Sequence, residues 1–98
     1  MTTIFDSEIQ TIPTSLPFIT NVYNINDLFI EFKKDTLTEV EISFAKTTDF
    51  KKFYKSLDQS SLIITADSLL TKKINGSYFI VINYVGTLGN DKLKISYR

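Results

Sequence analysis

The stretch Gly76-Ser-Tyr-Phe-Ile-Val-Ile-Asn-Tyr-Val85 decides the fold prediction, because it is the longest apolar run in the chain. Its β-branched and aromatic residues are typical of a buried strand. Alternation directs four large side chains to one face, and the residues between them are mostly apolar too: Tyr78, Ile80, Ile82 and Tyr84. A strand that is apolar on both faces usually lies in the middle of a sheet. We therefore predict this run as the central strand of a β-sheet domain.

Other stretches of the chain alternate in the same way and are predicted as further strands. Leu28–Lys33 and Thr38–Ala45 flank the turn-like segment Lys33–Thr36, which predicts a hairpin of these two strands. Ser61–Ala66 reads as a short strand. Lys92–Arg98 reads as a C-terminal strand, solvated on one side and hairpinned to the central strand.

Three segments between these strands have less regular patterns. Asn75-Gly76 predicts a turn, because both residues tolerate positive φ. Asp67–Lys73 is ambiguous and is interpreted as a link between two sheets. The apolar residues from Phe50 to Leu57 have a spacing that fits a short helix or a strand, and the sequence leaves both open.

Turns every eight to twelve residues and the absence of long helical patterns indicate an all-β fold. We predict a single antiparallel β-sandwich of six to eight strands, Ig-like or jelly-roll-like, over residues 21–98.

Residues 1–20 differ from this pattern and are predicted as an extended N-terminal arm. Pro13 and Pro17 favour extended or turn conformations. Two alternatives stay open: the arm lies over its own domain, or it docks on a neighbouring subunit. The second alternative makes its apolar residues a candidate interface: Ile4, Phe5, Ile9, Ile12, Leu16 and Phe18.

Composition argues against several classes of function. The 98 residues contain no cysteine and no histidine, and 11 basic residues balance 11 acidic ones. Thiolate chemistry is therefore excluded, the commonest general base and metal ligand is missing, and no basic excess indicates nucleic-acid binding. The N-terminal residues do not resemble a signal peptide, and no apolar run is long enough to span a bilayer. We expect a non-enzymatic protein without cofactor or metal, made in a cytoplasm, that binds neither membrane nor nucleic acid.

Four groups of polar residues have a functional alternative to an ordinary structural role. Glu39 and Glu41 share one strand face and would suit a metal or acid–base pair, although a solvated face explains them as well. The other groups are a tyrosine pair, three loop aspartates and a cluster of lysines among aromatic residues: Tyr78 and Tyr84; Asp49, Asp58 and Asp67; Lys51, Lys52 and Lys55. Core packing, turn formation and a solvated face are their ordinary explanations.

The run Thr38-Glu-Val-Glu-Ile-Ser-Phe-Ala-Lys-Thr-Thr-Asp-Phe-Lys-Lys-Phe-Tyr54 resembles a strand–turn–aromatic segment of small β-sandwich proteins in tailed-phage virions. Ser77–Ile82 is similar to the later strand of such domains, and Phe53 or Tyr54 stands where they carry a tryptophan. The resemblance implies a head decoration (auxiliary capsid) protein, a head fibre or a tail component, located in the virion.

The resulting hypothesis is a structural virion protein that binds the major capsid protein or itself as part of a larger assembly. The alternative is a binding module from a phage or mobile element that engages a host protein through an exposed strand edge, or a glycan through exposed aromatic residues.

Overall fold

The computed structural model describes residues 1–12, 17–48, 53–55 and 59–98, with side chains for all of these except 47, 48 and 53–55. The described residues form seven strands and no helix, which confirms the all-β prediction. The strands are β1 (Thr2–Asp6), β2 (Phe18–Lys33), β3 (Leu37–Thr48), β4 (Phe53–Lys55), β5 (Leu62–Ile64), β6 (Ser68–Gly86) and β7 (Lys92–Tyr97). Within these ranges, no helix is available to cross a membrane.

All seven strands belong to one antiparallel sheet. Six follow the order β1-β7-β2-β6-β3-β4, and β5 also pairs with β3. The predicted central run forms the second half of β6, which lies between β2 and β3. Its central position is therefore confirmed. The prediction of a two-layer sandwich stays a prediction, because the hydrogen-bonded sheet is continuous.

Both predicted hairpins are wrong. The turn before Leu37 does end β2, but β6 lies between β2 and β3 in the sheet. Likewise, β7 pairs with β1 and β2, and not with β6. Alternation indicates which face of a strand is buried, but it does not indicate which strand lies beside it.

Asn75-Gly76 forms a bulge inside β6 and not the predicted turn. The β2–β6 register shifts twice, between Val22 and Ile25 and between Ile25 and Asp27. The first shift leaves an extra residue on β2 and the second leaves one on β6. Asn24 and Asn75, one at each bulge, both have a φ of 56°. Positive φ is needed at such bulges as well as in tight turns, so the dipeptide signal was real but was assigned to the wrong structure.

The two long strands have to bend. At about 3.3 Å per residue, the 16 residues of β2 would span roughly 53 Å if straight, but the longest dimension of the molecule is 32 Å. The bend brings distant parts of the sheet together. The ring centroid of Phe5 on β1 lies 5.1 Å from the ring centroid of Phe18 on β2 and 6.4 Å from that of Tyr84 on β6. Side chains of β1, β2 and β6 therefore meet in one core.

The core consists almost entirely of aliphatic and aromatic side chains. The largest fully buried ones are Phe5, Phe44, Ile25, Leu28, Ile30, Leu37, Ile42, Ile80, Ile82, Leu93, Ile95 and Val40. Every strand that alternates in sequence contributes its apolar face to this set. The opposite face of β6 is also partly covered, because Val81 is fully buried there.

The N-terminal segment differs from the predicted arm. β1 pairs with β7, and β2 already begins at Phe18, so the predicted boundary between residues 20 and 21 falls inside a strand. A register shift between Thr3 and Phe5 leaves Ile4 as an extra residue, so that both Ile4 and Phe5 are buried. This bulge hides the strand period from sequence inspection.

The less regular segments have mixed outcomes. Residues 68–73 begin β6 and do not link two sheets. Phe53–Lys55 forms β4, which agrees with the strand alternative for that region, and Leu62–Ile64 confirms the short strand. The remaining part of that region, residues 49–52 and 56–58, lies outside the described residues.

Candidate interaction surface

The five candidate interface residues that the structure describes do not share one surface. Ile4 and Phe5 lie in the core of their own chain, and Ile12 and Phe18 are partly buried against that core. Ile9 is 80% exposed. The sixth candidate, Leu16, lies outside the described residues. Of the five that are described, only Ile9 is therefore free for contact with another molecule.

A hydrogen-bonded turn after β1 carries Ile9. The carbonyl oxygen of Asp6 accepts the N–H groups of Ile9 and Gln10 at 3.0 and 2.8 Å. Ser7 connects this turn to β7, because its N–H donates to the carbonyl of Leu93 and its hydroxyl oxygen accepts the N–H of Leu93, each at 2.9 Å. The turn is fixed to the sheet, and single exposed apolar residues of this kind are common on protein surfaces.

A larger surface, with apolar and charged residues side by side, lies on the outside of the half-sheet β1-β7-β2-β6, on the face opposite the core. Its middle row crosses three strands, with Lys94 opposite Glu31 and Glu31 opposite Leu69. Phe29 lies two residues before Glu31 on the same face, and Met1 lines the surface at the β1 side. We call this surface the Leu69 face and define it by Met1, Phe29, Glu31, Leu69 and Lys94.

Two shallow depressions cover this face, with volumes of about 530 and 390 Å³. They share Glu31, Leu69 and Lys94 in their lining. Leu69 is 81% exposed. Substrate sites are usually concave and enclose most of their ligand, so an open face with exposed leucine is better suited to contact with another protein.

The first residues of β6 form an open edge of the sheet. Among the described residues, 68–73 pair with β2 on one side and with no strand on the other, since the pairing of β6 with β3 begins at Phe79. Leu70 on this edge is 40% exposed. An exposed edge with apolar side chains is unusual in proteins that do not use it, because it can pair with a strand of another chain.

The hydrogen bonds of β2 determine which backbone groups point out of this edge. Asp27 exchanges both backbone hydrogen bonds with Arg98, each at 3.0 Å. Backbone groups along an antiparallel strand alternate between its two neighbours, so Ile30 bonds to Leu70 on β6. The N–H and C=O groups of Leu69 and Thr71 therefore point away from β2, towards solvent.

At another end of the sheet, the carboxylate of Asp91 holds two loops together. It accepts backbone N–H groups from Asp35 at 2.5 Å, Gly89 at 3.0 Å, Leu37 at 3.1 Å and Thr36 at 3.2 Å. Burial raises the pKa of Asp91, but these four hydrogen bonds together outweigh it and hold the pKa well below its usual range. Sequence reasoning missed this role of Asp91, because three of its four backbone donors lie more than fifty positions away.

Tyr84 lies on the core side of β6 and is influenced by the same carboxylate. Burial, and then the negative charge of Asp91, raise the pKa of Tyr84 to about 12. Tyr78 is buried as well, with its ring in edge contact with Phe44 at 5.9 Å and Lys46 above it at 4.0 Å. Both tyrosines therefore pack in or beside the core.

The acidic residues considered for metal binding do not form a metal site in the described part of the chain. Glu39 and Glu41 are partly buried, and the hydroxyl of Ser43 donates to Glu41 at 3.1 Å. Asp67 accepts the backbone N–H of Lys34 at 2.7 Å. Among residues whose side chains are described, no three acidic groups come together around one point. The remaining candidates lie outside the described side chains: Asp49, Asp58, Lys51, Lys52 and Lys55.

Sequence reasoning missed two residues at this face and its edge, Leu69 and Leu70, and it missed Asp91 at another end of the sheet. The adjacent leucines did carry a signal, because they interrupt a polar segment. That signal could not be interpreted without the position of the segment at a sheet edge.

Comparison with known proteins adds no relative: no protein-family model, no curated protein and no solved structure matches this chain.

Proposed function

We propose that this chain is a non-enzymatic protein that works through protein–protein contacts as a component of a larger assembly. The setting that the sequence resemblance implies is the virion of a tailed phage, where the chain would be a capsid-associated, decoration or head-fibre protein. The principal partner would then be the major capsid protein.

The observation that carries the proposal is the Leu69 face. A leucine that is 81% exposed lies in the middle of this open face, next to the oppositely charged Glu31 and Lys94. Protein interfaces commonly combine apolar contact area with polar groups that fix orientation. Burial of the exposed part of Leu69 alone would contribute about 1.5–3 kcal/mol to binding before ordering costs.

The proposal also agrees with the chemistry of the chain. No cysteine or histidine is present in the sequence, and the buried carboxylate of Asp91 already has four backbone donors. Its hydrogen bonds and lowered pKa make it a structural group, and not a general acid or base for pH 7.

Mass spectrometry of density-purified particles from the source lysate tests this proposal. We expect the chain to co-purify at fixed stoichiometry with the major capsid protein. A Leu69→Glu variant should occupy fewer sites on the particle, whereas the control Leu88→Glu, at an exposed leucine in the β6–β7 loop, should bind normally. Recovery of the chain only in the soluble fraction would refute the virion setting, and equal binding of both variants would refute the Leu69 face.

A further inference from the structure

We infer that the open edge of β6 pairs with the same edge of a second copy, so that two half-sheets join into one continuous antiparallel sheet. The inference rests on the proposed function only in that both assign the work of the protein to contact surfaces. It concerns a different part of the molecule, the backbone edge of residues 67–73 and not the Leu69 face as a whole.

The backbone N–H and C=O groups of this edge point in the direction that such pairing requires. Leu69 and Thr71 direct their N–H and C=O groups outwards, as the alternation from the Asp27–Arg98 hydrogen bonds requires. The register of residues 68–73 with β2 is regular, without a bulge that would twist the edge away. In a symmetric antiparallel pair, residues whose backbone N–H and C=O groups point outwards must lie opposite each other. This condition is met when Leu69 lies opposite Thr71 of the second copy.

Charge selects this register among the symmetric alternatives. When Leu70 lies on the two-fold axis, Asp67 of each copy lies opposite Lys73 of the other. A shift by one residue pair in either direction loses this match. Opposite charges in directly opposed positions stabilise a strand pair, and like charges destabilise it. Asp67 is already fixed in place by the N–H of Lys34 at 2.7 Å.

The same register covers apolar surface that is exposed in the monomer. The two Leu70 side chains meet at the axis, and each Leu69 lies beside Thr71 of the other copy on the outer face. Leu69 and Leu70 are 81% and 40% exposed in the single chain. The pairing therefore covers Leu70 and the edge-facing side of Leu69, and it leaves the outer surface of Leu69 open to a further partner.

The size of the edge limits the affinity. Six residues of strand are roughly 20 Å long, and such a contact is smaller than the ~1,200 Å² typical of stable interfaces. We expect a reversible dimer with a dissociation constant between roughly 10 µM and 1 mM.

Sedimentation velocity of the intact chain, from about 5 µM to above 1 mM, measures this dimer. Thr71→Pro should abolish it without unfolding the domain, because the N–H that proline removes points to solvent and not to β2. Lys73→Glu should weaken it about tenfold by placing two acidic residues in opposition at each end. The double variant Asp67→Lys/Lys73→Glu should restore it.

A cysteine trap tests the register directly, since the natural chain has no cysteine. Opposed residues that are not hydrogen-bonded have Cα atoms about 4.5 Å apart, which is close enough for a disulfide. Oxidised Leu70→Cys protein should therefore form a covalent dimer. Lys72→Cys is the matched control, because position 72 of one copy lies opposite Ser68 and roughly 13 Å from position 72 of the other.

The outcomes separate this inference from the proposed function. A monomer at every concentration, or a dimer that Thr71→Pro leaves intact, overturns the edge pairing even if the chain still co-purifies with particles. A dimer that is insensitive to Lys73→Glu, or that is trapped equally well at positions 70 and 72, overturns the register. Absence from particles with an intact dimer would refute the virion setting alone.

Discussion

Replacement of Asp91 by asparagine is expected to lower the free energy of unfolding by about 3 kcal/mol, because it removes the charge that four backbone N–H groups share. Asp35 and Leu37 donate to one carboxylate oxygen, and Thr36 and Gly89 donate to the other. Asparagine keeps one neutral acceptor oxygen, so one of these pairs faces an NH2 group that cannot accept, and the loss is largest where it falls on the buried Leu37. A buried donor without acceptor costs about 1–3 kcal/mol. Asp35, Thr36 and Gly89 are exposed and can bind water, so each loses only a few tenths of a kcal/mol to about 1 kcal/mol.

Urea unfolding followed by circular dichroism measures this difference. For a domain of this size, 3 kcal/mol corresponds to a fall in Tm of about 12–24 °C. Asp27→Asn is the control, because the side chain of Asp27 accepts only from the exposed side chain of Arg98, at 3.2 Å. We expect that variant to lose less than about 1 kcal/mol. If the two variants lose the same stability, the Asp91 carboxylate does not hold the loops together.

The stabilisation by Asp91 also has a defined pH dependence. Folding lowers its pKa below the value of about 3.9 that an unfolded aspartate has. A group with a lowered folded-state pKa contributes stability that is fully present above the unfolded pKa and is lost as pH falls below it. The difference in stability between the natural chain and Asp91→Asn should thus be constant between about pH 5 and 7 and shrink below about pH 4. A difference that persists unchanged at pH 2 would contradict the proposed cause.

Two further predictions concern the core. Phe5→Ala should lower the free energy of unfolding by about 3–5 kcal/mol, because the ring is fully buried against Phe18. The control Ile9→Ala, at an exposed residue, should change it by less than about 0.5 kcal/mol. Equal losses of the two variants in urea unfolding would contradict the position of β1. In an ultraviolet absorbance titration, Tyr84 should ionise near pH 12, and Tyr84→Phe should remove that step. The stability that Tyr84 contributes is present below about pH 10 and is lost as pH rises through 12. Ionisation of all five tyrosines near pH 10 would refute it.

Local patterns in the sequence were sufficient for the fold class. The alternation in Thr38–Ala45 and Lys92–Arg98 predicts which residues face the core, and Val40, Ile42, Leu93 and Ile95 are buried as it requires. This succeeds because the side-chain direction of a strand depends on residue parity alone.

The order of the strands could not be obtained in the same way. The predicted turn around Asp35 does follow the end of β2. The pairing partner of β2 is a different matter, because the distant strand β6 lies between β2 and β3 in the sheet. Such competition between distant segments leaves no mark in a local pattern, since several strands of this chain are apolar on one face and compatible with each other.

Positions with positive φ show the same limit. The residue Asn75 tolerates the left-handed region, and the structure places it there. A tight turn and a bulge both use this property, and only the pairing of β6 with β2 distinguishes them. The bulge at Asn24 has the same φ but no following glycine, so the sequence there lacks the dipeptide signal.

The candidate surface was less predictable than the fold, because exposure depends on tertiary position. Phe5 and Ile9 looked equivalent in sequence as apolar residues of one segment, but β1 pairs with β7 and buries the first, while the following turn exposes the second. Leu69 and Leu70 looked like linker residues and are instead at an open edge. Hydrophobicity alone therefore did not separate core from contact surface in this chain.

The two edges of the half-sheet β1-β7-β2-β6 differ in how well they are protected from pairing with another chain. This difference bears on whether the β6 edge has a function. β1 has only five residues and a bulge at Ile4, two features that discourage pairing with other chains. The β6 edge is regular over residues 68–73 and carries two adjacent leucines, Leu69 and Leu70, with lysines only at its end. The outward N–H of Thr71 takes no part in the pairing with β2, so a proline there would protect the edge at little cost in stability. The fold therefore does not require the β6 edge to stay unprotected. Contact with a second copy gives a physical reason for an edge without such protection.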